Sequence, residues 1–293
     1  MLSDTVISWY ERHSRDLPWR EPDAGPWAVL VSEIMLQQTP VARVLPVYEQ
    51  WLARWPSPAA LAADPPSEAV RAWGRLGYPR RALRLHECAQ AITARHSGHV
   101  PSSVDELLAL PGIGAYTARA VASFAFRQRH PVVDTNVRRL VARAVQGAGD
   151  AGPPSTARDL AALEPLVPDR PETAARFAVA VMELGALVCT ARAPRCGDCP
   201  LALECAWRLA GKPAYDGPAR AVQRFAGTDR QVRGLLMAVL RDSEDPVEKA
   251  RLDVVWADPV QRERALDSLA ADGLVDPLPD GRYALPAGPV QPQ

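Results

Sequence analysis

The chain has 293 residues, 47% hydrophobic and 23% charged, with 34 basic and 34 acidic side chains. Ordinary apolar content at zero net charge excludes a chiefly disordered chain, and no apolar run reaches the ~18 residues of a membrane-spanning helix. The opening Met1-Leu2-Ser3-Asp4 has no basic head before an apolar stretch, so no secretory leader is expected and the chain is placed in the cytoplasm.

In chain order, the pattern predicts helices over 3–13, 27–38, 41–54, 67–75 and 80–96, with a loop at Leu17-Pro18-Trp19-Arg20. Helices 103–109 and 115–127 follow, joined by Pro111-Gly112-Ile113-Gly114, and then helices 135–145, 155–165 and 172–188. This reads as an all-α body over 1–210 that ends in a cysteine loop at 189–205. Residues 211–229 read as a linker rich in Gly, Pro, Ala and Arg. Residues 230–293 read as a small winged-helix-like domain. Its helices are 230–241, a shorter stretch, and 259–272, and its strands are 274–276 and 282–285 around the turn Asp280-Gly281. Charge divides along the chain: residues 1–212 carry 24 basic and 21 acidic groups, and the rest carry 10 and 13.

Four of the five cysteines, Cys189, Cys196, Cys199 and Cys205, fall within 17 residues at C-x6-C-x2-C-x5-C spacing. In a reducing compartment such a cluster points to metal rather than to disulfides. Four thiolates suit a zinc site or an iron–sulfur cluster. Cys88 stands alone on a helical stretch and reads as core.

Gly112 and Gly114 allow close backbone approach, and the helix that follows opens with N–H groups suited to a phosphate. An ordinary helix–helix turn would look the same. Arginines at 119, 127, 129, 138, 139 and 143, and at 71, 75, 80, 81 and 84, are candidates for a nucleic-acid groove or for plain solvated faces. Glu33 sits among Val29, Leu30, Val31, Ile34, Met35 and Leu36, where desolvation should raise its pKa and keep a general acid protonated. Asp134 stands at a helix start, where accepted backbone hydrogen bonds should depress its pKa. Two carboxyls displaced in opposite directions suit glycosidic bond cleavage.

Several motifs occur in order: the helix-hairpin-helix before Val133-Asp134, the cysteine spacing, Leu17-Pro18-Trp19-Arg20, Ser32-Glu33-Ile34-Met35-Leu36-Gln37-Gln38-Thr39, Leu76-Gly77-Tyr78 and Met182-Glu183-Leu184-Gly185. Over about residues 1–210 the chain resembles the endonuclease III superfamily of DNA glycosylases, and within it the adenine glycosylases. The resemblance implies a [4Fe–4S] cluster on Cys189, Cys196, Cys199 and Cys205. It implies duplex DNA carrying an A·8-oxoguanine or A·G mispair as partner, and a monomer working at the nucleoid. It makes Glu33 the acid that protonates adenine at N7 and Asp134 the carboxylate that stabilises the sugar cation, with Asn136 in the same motif. Tyr116 stands where bifunctional relatives carry a Schiff-base lysine. The chain's own lysines, Lys212 and Lys249, lie beyond the body, so hydrolysis without strand cleavage is expected. Gln37, Gln38 and Thr39 resemble the wedge and opposite-base contacts. Tyr78 resembles the intercalating aromatic, although a core tyrosine would look alike. Arg20 and Trp27 are assigned to the adenine pocket.

The chain departs from the family pattern in three places. Pro79 replaces a second aromatic, and Val179 stands where an adenine-reading glutamine is common. The tail is too short and too poor in strands for a Nudix-like domain, and its partner is unknown. A mismatch-thymine glycosylase and a non-catalytic iron–sulfur DNA-binding protein are the alternatives.

Overall fold

The computed structural model describes residues 2–217 and 225–288. The helices, in order, are α1 (Leu2–His13), α2 (Pro26–Leu36), α3 (Val41–Arg54), α4 (Pro58–Ala63), α5 (Pro66–Trp73), α6 (Arg80–Arg95), α7 (Val104–Leu108), α8 (Ala115–Phe124), α9 (Thr135–Ala144), α10 (Thr156–Leu163), α11 (Pro171–Leu187), α12 (Ala206–Leu209), α13 (Asp229–Arg241), α14 (Lys249–Asp253) and α15 (Pro259–Ala271). Short strands β1 (Val247–Glu248), β2 (Asp276–Pro277) and β3 (Arg282–Ala284) form an antiparallel sheet in the order β1-β3-β2. The mostly helical fold follows the expectation, and strands β2 and β3 pair around the expected turn. Helices α4 and α12 and strand β1 are additions. Each is too short to show a hydrophobic period of its own.

Helix α2 stops at Leu36 rather than 38. The reason is local: Gln38 takes a left-handed conformation, φ 53°, which ends the helical hydrogen-bond run. The expected linker 211–229 lies partly outside the described residues, which omit 218–224, and its last residue already opens α13. Among the described residues, no helix is long and apolar enough to cross a membrane.

The chain forms two units. One comprises Met1–Val29, Ser102–Leu108 and Gly114–Arg220, and the other comprises Leu30–Pro101, Ala109–Ile113 and Ala221–Gln293. The first centres on α1, α9 and α11. Val6, Trp9, Val137, Leu140, Phe177, Val181 and Leu184 are buried together there. Gly185 is what lets α11 approach α9, because a Cβ at that position would lie 2.8 Å from the carbonyl oxygen of Asn136.

In the second unit, Trp51 meets Trp55 and Trp73 edge-on at ring separations of 4.6 and 5.7 Å. Cys88 is fully buried in this unit, and burial pushes its thiol up to about 12. That is the core role its isolation predicted. The tail, residues 225–288, belongs to the same unit. Val232, Leu236, Leu240, Val247, Leu252, Leu266, Leu269 and Leu274 are among its buried side chains. Arg71 on α5 donates to the Arg241 carbonyl at 2.6 Å, which closes the C-terminal end of α13.

Candidate active site

Asp134 caps α9. Its Oδ1 accepts the Val137 N–H at 2.7 Å and its Oδ2 accepts the Asn136 amide at 2.7 Å. Asn136 is oriented in turn. Its Oδ1 accepts from Arg139 at 2.9 Å, which leaves its amide nitrogen for Asp134. Arg139 is buried and also donates to the carbonyls of Gly185 (2.7 Å) and Cys189 (2.6 Å). A bonded series therefore runs from the first cysteine of the loop to the candidate catalytic carboxylate.

The electrostatics of Asp134 correct the sequence expectation. Its carboxyl is raised, not depressed: burial disfavours the charged form and outweighs the hydrogen bonds from Val137 and Asn136 and the Arg139 charge. The cap alone argues for depression. The fold adds a desolvation that no local motif encodes.

Gly114 stands as the N-cap of α8, in extended backbone and with no side-chain cap. A Cβ there would meet nothing within 4 Å, so the helix start is open. Gly112 is different. It has φ 75°, and a Cβ would lie 2.7 Å from the Cβ of Arg84 on α6. Its glycine is required by the turn and by internal packing. Tyr116, in the first turn of α8, packs with Phe124 and Met182 over Ala120, Val132 and Ala178.

Glu183 on α11 was not assigned a role from sequence, yet it organises this unit. The carboxylate is fully buried and accepts from Arg15 Nε (2.7 Å), Arg15 Nη2 (2.6 Å), the Arg15 backbone (3.1 Å) and Arg20 Nη2 (2.9 Å). Burial alone would push its carboxyl up, but the two guanidiniums overcome this and hold it at about 2. Glu183→Gln is expected to destabilise the fold by ~3 kcal/mol, because two cations lose their counter-charge. The folded pKa is depressed, so this stability is present above the unfolded value and is lost as pH falls towards about 2. Thermal melts of parent and variant should therefore differ most at neutral pH and converge in acid. Arg20 also lies over the Tyr10 ring at 5.6 Å, and its Nη1 is buried without a hydrogen-bond partner among the described residues. Trp27, at the start of α2, is buried.

The second unit holds the other candidates. Glu33 is 6% exposed on α2, beside the fully buried Leu30, Val31, Ser32 and Met35. At the end of that helix, Arg81 acts as a hub. One nitrogen donates to the carbonyls of Ile34 (2.8 Å), Met35 (3.1 Å) and Gln37 (2.6 Å), and the other to Thr39 Oγ1 (3.0 Å) and the Gly77 carbonyl (3.0 Å). Burial lowers its pKa to about 10. A cation on the orphan carbonyls of a helix C-terminus satisfies them and the helix dipole together.

Arg81 thus joins the Gln37-Gln38-Thr39 turn to the Leu76-Gly77-Tyr78 turn. Thr39 is buried and its hydroxyl is used inside this joint, whereas Gln38 is exposed. Tyr78 is 48% exposed, so it is not a core tyrosine. Arg81→Ala should cost ~2–3 kcal/mol, the scale of hydrogen bonds to a charged donor, and should weaken duplex binding. Arg81→Lys should recover little of either, because a single ammonium cannot span both turns. Melting curves and binding isotherms check this.

Several arginines proposed for a groove are committed elsewhere. Arg138 pairs with Asp159 at 2.6 Å, and Arg129 pairs with Glu164 at 2.6 Å. Arg143 donates to the carbonyls of Gly149, Thr190 and Ala191. Their partners are distant in sequence and invisible to a charge count.

Cys189, Cys196, Cys199 and Cys205 line one pocket with Arg143, Val188 and Trp207. Burial pushes the Cys199 thiol up to about 11, and its three cysteine neighbours add to the rise. Arg143 Nη1 lies 3.6 Å from the Cys189 sulfur. Among the described residues, no group of His, Cys, Asp or Glu is arranged to hold a single metal ion. The donor set, four thiols around one cavity with a guanidinium alongside, fits an anionic all-thiolate iron–sulfur cluster.

Residues 31–165 match the HhH-GPD superfamily base excision DNA repair protein family. An adenine DNA glycosylase of Mycobacterium tuberculosis is 61% identical over 287 residues, covering 97% of this chain and 94% of that protein. The chain belongs to the adenine DNA glycosylases. A thymine/uracil-DNA glycosylase of Pyrobaculum aerophilum is 38% identical, covering 68% of this chain and 87% of that protein. The solved structure of a thermostable thymine-DNA glycosylase superposes with a TM-score of 0.64 at 27% identity, covering 71% and 95%.

For an adenine DNA glycosylase, Asp134 and Asn136 are brought together directly, as are the four cysteines. Gln37, Thr39 and Tyr78 are linked through Arg81. Glu33 and Asp134 belong to different units, and the division falls within α2. Glu183 was missed, and Arg81, a groove candidate from sequence, instead joins the two turns. The signal for Glu183 was available: it is a carboxylate in an apolar helix, the same signal that singled out Glu33.

Proposed function

We propose that this glycosylase removes adenine mispaired with 8-oxoguanine or guanine from duplex DNA, as a monomer in the cytoplasm, and leaves an intact abasic strand. The observation that carries the reading is the 61% identity, over nearly the whole chain, to a protein named adenine DNA glycosylase. In the proposed mechanism, the target nucleotide leaves the stack, which costs a few kcal/mol. Glu33 gives a proton to N7, so that adenine departs as a neutral base. The Asp134 carboxylate, oriented by Asn136, stabilises the sugar cation until water adds. Arg20 supports the pocket, since its buried Nη1 is a donor awaiting an acceptor. Cys189, Cys196, Cys199 and Cys205 would hold a [4Fe–4S] cluster, which when bound braces the 189–205 loop.

A thymine reading draws on Val179, which cannot read a base edge, and on the Pyrobaculum relative. Single-turnover assays on A·8-oxoguanine, A·G and T·G duplexes separate the two. Adenine should be released from the first two and no thymine from the third. Borohydride should trap no imine, because the body carries no lysine before Lys212. Thymine release would replace the proposal, and tight binding without base release on any duplex would make the chain a DNA-binding protein only.

A further inference from the structure

Tyr78 projects from two successive left-handed residues, Gly77 at φ 84° and Tyr78 at φ 49°. Two guanidiniums lie over its ring, Arg81 at 5.6 Å and Arg230 at 5.8 Å, both within cation–π range. Arg81 belongs to the joint described above. Arg230 comes from the C-terminal domain, in the first turn of α13, and is exposed.

Its position is set from both sides. Asp272 pairs with Arg80 at 3.0 Å and with Arg233 at 2.5 Å. One carboxylate therefore ties the helix that follows Tyr78 to the helix that carries Arg230. Arg71 on the Arg241 carbonyl fixes the far end of α13.

Part of the tail's acidic charge is taken up by its own cations. Asp229 is matched by Arg264, Asp253 by Lys249 and Arg262, Glu263 by Lys249, and Asp272 by the two arginines above. What the surface offers around Tyr78 is an exposed aromatic beside guanidinium groups, the combination that serves nucleic-acid strands.

We infer that Arg230 is a DNA contact supplied by the C-terminal domain, pairing with a backbone phosphate of the strand against which Tyr78 projects. The inference rests on the proposed action on duplex DNA and gives the tail a role in it. A phosphate contact positions the duplex without reading the base, so its loss acts on affinity alike for all mispairs.

The test measures binding of full-length protein to A·8-oxoguanine and A·G duplexes as a function of salt, alongside single-turnover rates at saturating enzyme. Arg230→Ala should raise Kd ~10-fold on both duplexes and reduce the salt slope by about one, while the rate at saturation stays at the parental value. Arg230→Lys should keep the parental slope, because the charge is retained. Parental Kd and slope in Arg230→Ala would overturn the inference. Equal losses in the alanine and lysine variants would also overturn it, by assigning the side chain to packing on Tyr78. If parental protein binds duplex with the expected slope but releases no adenine, the proposed function fails while the Arg230 result stands.

Discussion

Asp134→Asn should abolish base release and, at neutral pH, raise the melting temperature. The two effects have one origin. Asparagine keeps the cap, since its side-chain oxygen still accepts the Val137 N–H at the start of α9, and gives up the bond from Asn136, because its amide nitrogen replaces the second oxygen. It removes a carboxylate whose charged form burial disfavours. A group whose folded pKa is raised contributes stability below its unfolded pKa and loses it as pH rises through the folded value. Near neutrality the parental carboxylate is therefore a burden on the fold, and the neutral variant escapes it. As pH falls below the ordinary aspartate range, that advantage should disappear.

The activity moves the other way. Removing a preorganised charge from a developing cation costs on the order of 10³-fold in rate, ~4 kcal/mol. Single-turnover base release and melting curves from pH 4 to pH 8 read both halves. A variant whose melting temperature relative to the parent does not rise between pH 4 and pH 8 would show that the carboxylate stabilises the fold and would reverse the argument.

Much of this arrangement is legible in the sequence, because it is local. Asp134 three residues before Val137 is a cap by type and spacing, and the four cysteines announce a shared cavity by spacing alone. What escapes the sequence is made of long side chains reaching across it. Glu183 meets Arg15 over a separation of 168 residues, and Arg80 meets Asp272 over 192. No periodicity reports such pairs, so arginines at 129, 138 and 143 look like a groove until their partners are known. Glu33 and Glu183 show the same limit from the other side. Both are carboxylates in apolar helices, and only the fold reveals that Glu183 is neutralised by two guanidiniums. The tail is a similar case. Its charge total argues against DNA, but the placement of Arg230 decides what Tyr78 faces.

Glu33→Gln should stop adenine release while leaving duplex affinity within about twofold of the parent, because glutamine fills the same volume in α2 and can hydrogen-bond but cannot give up a proton. General acid catalysis is worth ~10²–10⁴-fold, and adenine is a poor anionic leaving group, so the loss should lie at the upper end. Burial makes the site demanding: with Leu30, Val31 and Met35 fully buried around it, little solvent is available to supply the missing proton. The decisive control is the leaving group. A duplex carrying a purine that departs without protonation should restore much of the lost rate in Glu33→Gln but none of it in Asp134→Asn, since the sugar cation still needs its counter-charge. Parental adenine release by Glu33→Gln would remove this residue from the reaction. Failure of the easier leaving group to rescue it would show that Glu33 acts by shaping α2 rather than by moving a proton.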